Sequence, residues 1–395
     1  MAPDGQVLAP NLHESESIPE AARAEIDRLL SSGDLFRYTA PSDAPVALLE
    51  KEFAELLGAR FALAVSSCSA ALFLCLKALD LPKGAKVLIP AFTFAAVPSS
   101  VVHAECEPVL VEVGANYRVD MADFAAKLPQ ASAVLISHMR GHTSDMDAIM
   151  ALCDAAGVPV IEDAAHSLGT LWSGRQIGTI GKAGCFSFQS YKLVNAGEGG
   201  IMVTDDPEIA ARAIIMSGAY EENWKKHPGL SNSCAHWQNK LPLYNLRMQN
   251  LSAAVIRPQL PLVADRVTKG RANYDHVAAQ LNDCPHLVVP PALPGEERAP
   301  DSIQFNLKGE WSDDEARALQ AAAKARGVTV QVFGLSDGNA RAFWNWQFLG
   351  DVPELPQTRA MLMRACDVRL PTRLSQAELD FVAGVILDAV AEVKG

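Results

Sequence analysis

Residues 158–163 read VPVIED, a short β-rich run that ends in two carboxylates. A helical pattern at 146–156 precedes this strand, and another strand at 134–137 precedes that helix. The alternation continues towards the N-terminus through strands at 61–65, 86–89 and 108–113 and helices at 66–79, 94–103 and 121–128. Short apolar strands separated by helices of this length predict an α/β fold, with a mostly parallel central sheet covered by helices on both faces.

The loops after these strands are the expected location of function. In open α/β sheets, ligands bind beyond the carboxyl ends of the strands. The loops to inspect are those that follow Val65, Ile89, Ser137 and Ile161.

The length of the chain predicts more than one domain. It has 395 residues, which exceeds what a single hydrophobic core usually serves. We predict an N-terminal arm at 1–45, a large domain at 46–260 and a smaller C-terminal α+β domain at 261–395. The C-terminal region carries strand signals at 302–307 and 328–332 and helix signals at 313–325 and 376–393.

Charge and cysteine content narrow the class of protein. The sequence has 34 basic and 46 acidic residues, a net charge of −12, which disfavours nucleic acid and anionic membranes as partners. No apolar run approaches the ~20 residues of a membrane span, and no signal peptide is recognisable. The eight cysteines form no CxxC pair, so we expect buried, reduced thiols, no metal site and a cytoplasmic location.

Two features suit a cofactor that carries a phosphate group and a protonated pyridine nitrogen. Ser66-Ser67-Cys68-Ser69 before an apolar helix offers amides and hydroxyls to a phosphate, although an ordinary serine cap explains the same pattern. Asp163, at a strand end, suits the ring nitrogen, because an anion keeps that nitrogen protonated. His166, three residues on, either contacts the ring or is a packed histidine.

Two further features suit the ring face and the aldehyde of the same cofactor. Phe94 follows a strand end and is placed to stack on the ring, or else it belongs to the core. Lys192 follows the apolar run that begins at Cys185 and precedes the glycine-rich residues 197–200. A lysine withdrawn from water near a cation has a lowered pKa and becomes nucleophilic, whereas the alternative is a solvated surface lysine.

Taken together, these residues resemble the DegT/DnrJ/EryC1/StrS family of sugar aminotransferases. The resemblance runs closely from about residue 49 to 248 and more loosely to the C-terminus. Its motifs are SSCSAAL at 66–72, PAFTF at 90–94, IEDAAH at 161–166 and FSF at 186–188 through Lys192 to Gly200. The resemblance implies the pyridoxal-phosphate-dependent transferase fold of type I, with a central sheet and a smaller C-terminal domain.

The resemblance also implies catalytic and cofactor-binding roles. Lys192 matches the Schiff-base lysine, which also moves a proton, and Asp163 matches the partner of the pyridine nitrogen. His166 matches the residue beside the ring oxygen, and Phe94 matches the stacking aromatic.

For the cofactor phosphate, the resemblance implies contributions from two subunits. Ser187 matches a phosphate-binding hydroxyl, while Cys68 and Ser69 match a pair that is usually Gly-Thr. Asn245 matches an asparagine that reaches the phosphate of the neighbouring subunit. These roles imply a homodimer with shared active sites.

The sequence departs from the family at three places. Cys68 replaces a glycine, so its backbone has to avoid a positive φ or tolerate strain. Arg140 stands where the family usually has an aromatic residue, and an arginine there suits a substrate carboxylate, or else it forms a salt bridge. The segment 339–346 is also unusual, and Trp344 within it lines the substrate mouth or forms an aromatic core corner.

The expected reaction is a ping-pong transamination. An amino group passes from glutamate or glutamine, through the cofactor, to a ketone or aldehyde of a sugar, a cyclitol or a carboxylate-bearing small molecule. The same site chemistry also permits a lyase, a dehydratase or a racemase. A non-enzymatic regulatory relative is the third alternative, and the presence of Asp163, His166 and Lys192 argues against it.

Overall fold

A computed structural model of the protein describes residues 9–39 and 43–395. In chain order, the strands are β1 (Phe61–Val65), β2 (Lys86–Pro90), β3 (Glu107–Val111), β4 (Ala133–Ser137), β5 (Val160–Asp163), β6 (Leu171–Trp172), β7 (Arg175–Gln176), β8 (Ala183–Ser187), β9 (Gly200–Thr204), β10 (Leu287–Val288), β11 (Glu296–Glu297), β12 (Ser302–Leu307), β13 (Gln331–Val332) and β14 (Ala365–Arg369). The helices are α1 (Ala22–Ser32), α2 (Pro45–Leu57), α3 (Cys68–Ala78), α4 (Ala96–His103), α5 (Met121–Lys127), α6 (Met146–Ala156), α7 (Pro207–Gly218), α8 (Ser231–Trp237), α9 (Asn250–Ile256), α10 (Val263–Asn282), α11 (Asp313–Ala325), α12 (Pro356–Leu362) and α13 (Gln376–Lys394).

A seven-stranded sheet forms the centre of the molecule, with the strand order β1-β9-β8-β5-β4-β2-β3. Neighbouring strands run parallel from β8 to β3. Strand β9 is antiparallel to both of its neighbours, β1 and β8. The predicted α/β fold with a mostly parallel sheet is therefore confirmed.

Both faces of this sheet are buried because each strand presents apolar side chains alternately to two cores. In β2, Val87 and Ile89 enter the core beneath α3, α4 and α7, whereas Leu88 enters the core beneath α2, α5, α6 and α9. Such two-sided burial explains why these strands read as continuous apolar runs and not as alternating ones. Because helices cover both faces of the sheet, the loops at the carboxyl ends of the parallel strands are where side chains from different strands come together.

The C-terminal region has its own antiparallel sheet, with the order β10-β12-β14-β13, and its own apolar core. The predicted strand and helix at β12 and α11 have the predicted bounds. The predicted strand at 328–332 is shorter, and β14 was not predicted. The domain limits near residues 45 and 260 remain predictions.

Small corrections at two helix starts matter for the site. The helix predicted from residue 66 begins at Cys68, because the hydroxyl of Ser67 accepts a hydrogen bond from the amide of Ala70 and caps it. The helix predicted from Phe94 begins at Ala96, which leaves Phe94 in a loop. All eight cysteines are free, and all but the partly buried Cys284 are buried. Within the described residues, no helix is long and apolar enough to cross a membrane.

Candidate active site

A cavity of about 800 Å³ opens at the carboxyl ends of the parallel strands. It is bounded on one side by loops of the central sheet and on the other by residues at the ends of β13 and β14. The predicted site residues that line it are Cys68, Ser69, Phe94, Arg140, Asp163, His166, Ser187 and Lys192. Segments as distant as residues 68 and 192 therefore meet in one pocket.

Asp163 is the buried carboxylate of this cavity, at the last position of β5. The hydroxyl of Ser137 donates to its Oδ2 at 2.8 Å, and the amide of Ala165 donates to its Oδ1 at 3.1 Å. The hydroxyl of Thr93 in turn donates to Ser137 at 2.8 Å. These donors fix the carboxylate in one orientation, and neither hydroxyl was identified from the sequence.

Lys192 and His166 form a close pair in the same cavity. The Nζ of Lys192 lies 2.8 Å from Nε2 of His166. Burial lowers the pKa of Lys192 to about 8, with Asp301 opposing the change and Arg140 adding to it. Burial, and then the charge of Lys192, hold the pKa of His166 well below its usual value, so His166 is neutral at pH 7.

The N-terminus of α3 is an open anion site. Within residues 9–39 and 43–395, the backbone amides of Cys68 and Ser69 donate to no protein acceptor. Gly200 permits a close approach of β9, because a Cβ there would lie 2.2 Å from the carbonyl carbon of Ser67 and 2.4 Å from the amide nitrogen of Cys68. Cys68 does not adopt a positive φ, as the sequence analysis required. The helix end therefore offers amides, a favourable dipole and the exposed hydroxyl of Ser69.

Phe94 and Ser187 complete the predicted set around the cavity. The side chain of Phe94 is 45% exposed, so it is not a core residue. Ser187, at the end of β8, accepts a hydrogen bond from the amide of Gln189 at 3.3 Å. The hydroxyl proton of Ser187 can still be donated to a ligand.

Arg140 forms the salt bridge that was one of its two interpretations, while its binding of a substrate carboxylate stays a prediction. It lines the cavity, and its Nη2 pairs with Oδ2 of Asp367 at 2.5 Å. Its backbone is left-handed, with φ 56° and ψ 24°. A non-glycine residue adopts that conformation rarely, and such strain is often found at functional sites.

Trp344 does not line the cavity, so it does not have the position that was predicted for it at the substrate mouth. Its ring packs against Phe343 and lies 4.2 Å from the guanidinium of Arg359, which corresponds to the aromatic-corner alternative. Arg341, from the same unusual segment, faces the cavity instead. Arg369 at the end of β14 was also missed, since no strand had been recognised there.

Asn245 also lies outside the cavity of its own chain. It is exposed and has a left-handed backbone with φ 54°. Its predicted contact with the phosphate of a neighbouring subunit stays a prediction.

Comparison with known proteins then assigns the family. The sequence model of the DegT/DnrJ/EryC1/StrS aminotransferase family matches residues 18–387. The chain belongs to this family. Membership confirms the resemblance found in the sequence motifs and the predicted enzyme class, an aminotransferase.

Individual members of the family show how far the similarity extends. The spore coat polysaccharide biosynthesis protein SpsC of Bacillus subtilis (strain 168) is 34% identical over 282 residues, which are 69% of this chain and 70% of that protein. The crystal structure of 3-amino-5-hydroxybenzoic acid synthase has a TM-score of 0.85 at 26% identity, covering 98% of this chain and 100% of the other. The structure of the aminotransferase TlmJ of Streptoalloteichus hindustanus is 23% identical and has a TM-score of 0.84. The match covers 97% of this chain and 99% of the other, and it supports the fold.

Proposed function

We propose that the chain binds pyridoxal 5′-phosphate through Lys192 and moves an amino group from glutamate or glutamine to a small carbonyl compound. The acceptor is a sugar, a cyclitol or a carboxylate-bearing small molecule. One observation carries the proposal: the buried amine of Lys192, with its pKa lowered to about 8, shares a cavity with Asp163 and the open end of α3.

The residues of the cavity fit each chemical group of this cofactor. The free amides of Cys68 and Ser69 suit a phosphate, and Gly200 lets β9 pack closely against the backbone that carries the amide of Cys68. The oriented carboxylate of Asp163 suits a protonated pyridine nitrogen. Phe94 presents an exposed aromatic face to the same space.

The bound cofactor would supply an electron-withdrawing ring that makes the C–H bond beside the substrate nitrogen acidic. Lys192 is the group suited to accept that proton at Nζ and to return it, because its lowered pKa leaves a useful neutral fraction near pH 7. His166 stays neutral beside it and so adds no second positive charge to the amine. Asp163 holds its negative charge at a fixed position through the hydrogen bonds from Ser137 and Ala165.

Relatives support the range of acceptors in the proposal. SpsC is named for polysaccharide biosynthesis, and 3-amino-5-hydroxybenzoic acid is an aromatic compound that carries a carboxylate. These names are consistent with the sugar and the carboxylate-bearing compound among the proposed acceptors.

The active unit in this proposal is a homodimer with shared sites. Asn245 is exposed and lies away from the cavity of its own chain, as expected of a residue that serves a partner subunit. Exchange of Asn245 for Ala should therefore weaken cofactor binding in the dimer.

Absorbance spectroscopy on the purified protein tests the proposal directly. Addition of pyridoxal 5′-phosphate should produce the visible band of a lysine-bound cofactor in wild type. The Lys192→Ala variant should lack this band. The matched control Lys182→Ala, which removes a lysine with a 58% exposed side chain, should retain it.

The second stage of the test distinguishes the reaction. Glutamate or glutamine should convert the visible band to that of the aminated cofactor, and a ketone should restore it. Failure of a full panel of amino donors, with the visible band present, would exclude transamination and favour a lyase, dehydratase or racemase. A colourless protein that ignores the added cofactor would remove the whole proposal.

A further inference from the structure

Three arginines from distant parts of the chain line the active-site cavity, and the charge of Arg140 acts on the other two, Arg341 and Arg369. Arg140 follows β4, Arg341 lies in the segment after β13, and Arg369 ends β14. All three are partly buried. The protein is acidic overall, with a net charge of −12, so a local concentration of guanidinium groups runs against its general character.

The hydrogen-bonding capacity of this arginine cluster (Arg140, Arg341 and Arg369) is only partly used: Nη2 of Arg140 pairs with Asp367, and Nη2 of Arg369 donates to the carbonyl of Tyr191 at 3.4 Å. The Nε atoms of Arg140 and Arg341 are buried and have no hydrogen-bond partner. Among the residues described by the structure, no carboxylate lies within 4.0 Å of Arg341 or Arg369. Buried donors without acceptors, and like charges held together, are both unfavourable unless a ligand completes the site.

The pKa values of the arginines also indicate that their positive charges are not fully balanced by nearby carboxylates. Burial, and then the charge of Arg140, lower the pKa of Arg341 to about 10. Burial also lowers the pKa of Arg369, and Arg140 contributes there too. The carboxylates that act on the cluster are Asp301 and Asp367. The three guanidinium groups therefore outnumber the two carboxylates that act on them, and one of these, Asp301, also acts on Lys192.

A buried network holds the first of these arginines in position. Asp367 pairs with Arg140 through Oδ2 and accepts a hydrogen bond from Nε2 of Gln304 at its Oδ1, at 2.7 Å. The oxygen of Gln304 lies 2.9 Å from Nε2 of His142, whose Nδ1 lies 3.1 Å from Nη1 of Arg298.

This network has one arrangement of protons. Burial and the charge of Arg298 hold the pKa of His142 well below its usual value, so its ring is neutral. The neutral ring accepts from Arg298 at Nδ1 and donates to Gln304 from Nε2. Gln304 and His142 are both buried, so the guanidinium of Arg140 is oriented by rigid groups.

We propose that Arg140, Arg341 and Arg369 form a subsite for a carboxylate on the amino acceptor. This inference rests on the proposed function and narrows its acceptor to a carbonyl compound that carries a carboxylate. The planar guanidinium fork matches a carboxylate in geometry, and phosphate, the other anion that this fork suits, is a competitor in the binding test. Glutamate or glutamine can satisfy these donors only in the donor half of the reaction, and an uncharged sugar would leave them unsatisfied in the acceptor half.

Equilibrium binding of two unreactive probes tests the subsite. Cyclohexanecarboxylate and cyclohexanecarboxamide have nearly the same shape and differ in charge, and neither exchanges an amino group with the cofactor. Calorimetry, with saturating pyridoxal 5′-phosphate throughout, should show that wild type binds the carboxylate and prefers it to the amide. Equal binding of the two probes would overturn the proposal, as would tighter binding of inorganic phosphate than of the carboxylate.

Substitutions locate the binding within the cluster. Arg341→Gln and Arg369→Gln should each weaken carboxylate binding roughly 10- to 100-fold, because each removes charge-assisted hydrogen bonds. Arg326→Gln is the matched control, since Arg326 is exposed and pairs with Glu392 on the surface. Unchanged affinity in both cavity variants would refute the assignment. If Arg369→Gln does not fold, Arg369→Lys replaces it in the test. The lysine keeps the positive charge but lacks the planar fork, so this variant should bind the carboxylate with intermediate affinity.

The outcome can be separated from that of the proposed function. Arginine-dependent carboxylate binding without amino transfer would retain the subsite and remove the aminotransferase assignment for this cavity. Amino transfer to 3-oxocyclohexanecarboxamide with the same kcat/KM as to 3-oxocyclohexanecarboxylate would retain the reaction and remove the subsite.

Discussion

The burial of Lys192 predicts the pH at which its amine becomes reactive, and this pH can be measured directly. Its folded-state pKa of about 8 lies below the ordinary 10.5, and burial is the main cause. The neutral, nucleophilic amine is favoured by this shift, so reactivity should rise with pH and level off above about pH 8.5. For an ordinary lysine the rise would continue beyond pH 10.

The size of the effect follows from the two pKa values. At pH 7, about one Lys192 amine in ten is neutral, against about one in 3,000 for a lysine with the ordinary value. The difference is roughly 300-fold in the concentration of the reactive form. Asp301 is the largest influence that raises this pKa, so Asp301→Asn should move the midpoint to a lower pH. Asp275→Asn, which changes an exposed aspartate on α10, should not move it.

Competitive acylation with a small uncharged reagent measures the midpoint without the cofactor. Mass spectrometry of the digested protein gives the modification rate of Lys192 at each pH, with the exposed Lys182 of the same sample as the reference. The expected midpoint is about 8. A Lys192 profile that still rises steeply above pH 9.5, or a midpoint that Asp301→Asn leaves unchanged or raises, would refute the electrostatic reasoning.

Three further substitutions test other parts of the site. Asp163→Asn preserves size and removes charge, so amino transfer should fall roughly a hundredfold or more while the circular dichroism spectrum stays the same; full activity would contradict the role of the carboxylate. Gly200→Ala places a Cβ 2.2 Å from the carbonyl carbon of Ser67. It should lower the free energy of unfolding by about 1–3 kcal/mol, and with it the melting temperature by several degrees, and it should also weaken cofactor binding. Its control, Gly384→Ala in α13, has no atom within 4 Å of the new Cβ and should gain about 0.5–1 kcal/mol. Glu162→Gln should cost roughly 2–4 kcal/mol in denaturant unfolding, because the buried carboxylate accepts three amide hydrogen bonds that one amide oxygen cannot replace, and an unchanged midpoint would count against this.

The sequence predicted five of the seven strands of the central sheet, because those strands are apolar runs, whereas β8 and β9 were not predicted. An apolar run such as that at β5 predicts a buried strand whichever neighbouring strands it pairs with. The strand β14 escaped notice, since its segment, ACDVR, contains polar residues whose burial depends on partners elsewhere. Asp367 within it is buried only because Gln304 and Arg140 meet it.

The prediction of site residues was uneven for a similar reason. Lys192 and Asp163 lie in local motifs that identify them without any knowledge of contacts. Trp344 was chosen from an unusual segment on composition, but Arg341 is the residue there whose side chain reaches the cavity. The direction in which a loop side chain points is set by packing, and composition does not encode it.

By itself, the amino-acid sequence determined the alternation of strands and helices, the motif around each residue that we propose to bind the cofactor, and the family to which the chain belongs. These are local patterns, and local patterns need no contact between distant segments. Only the tertiary structure brought residues 140, 341 and 369 into one cavity and buried the amine of Lys192 in it. Electrostatic energy depends on distance and burial, so the charge balance of the pocket, and with it the acceptor we infer, exists only in the folded chain.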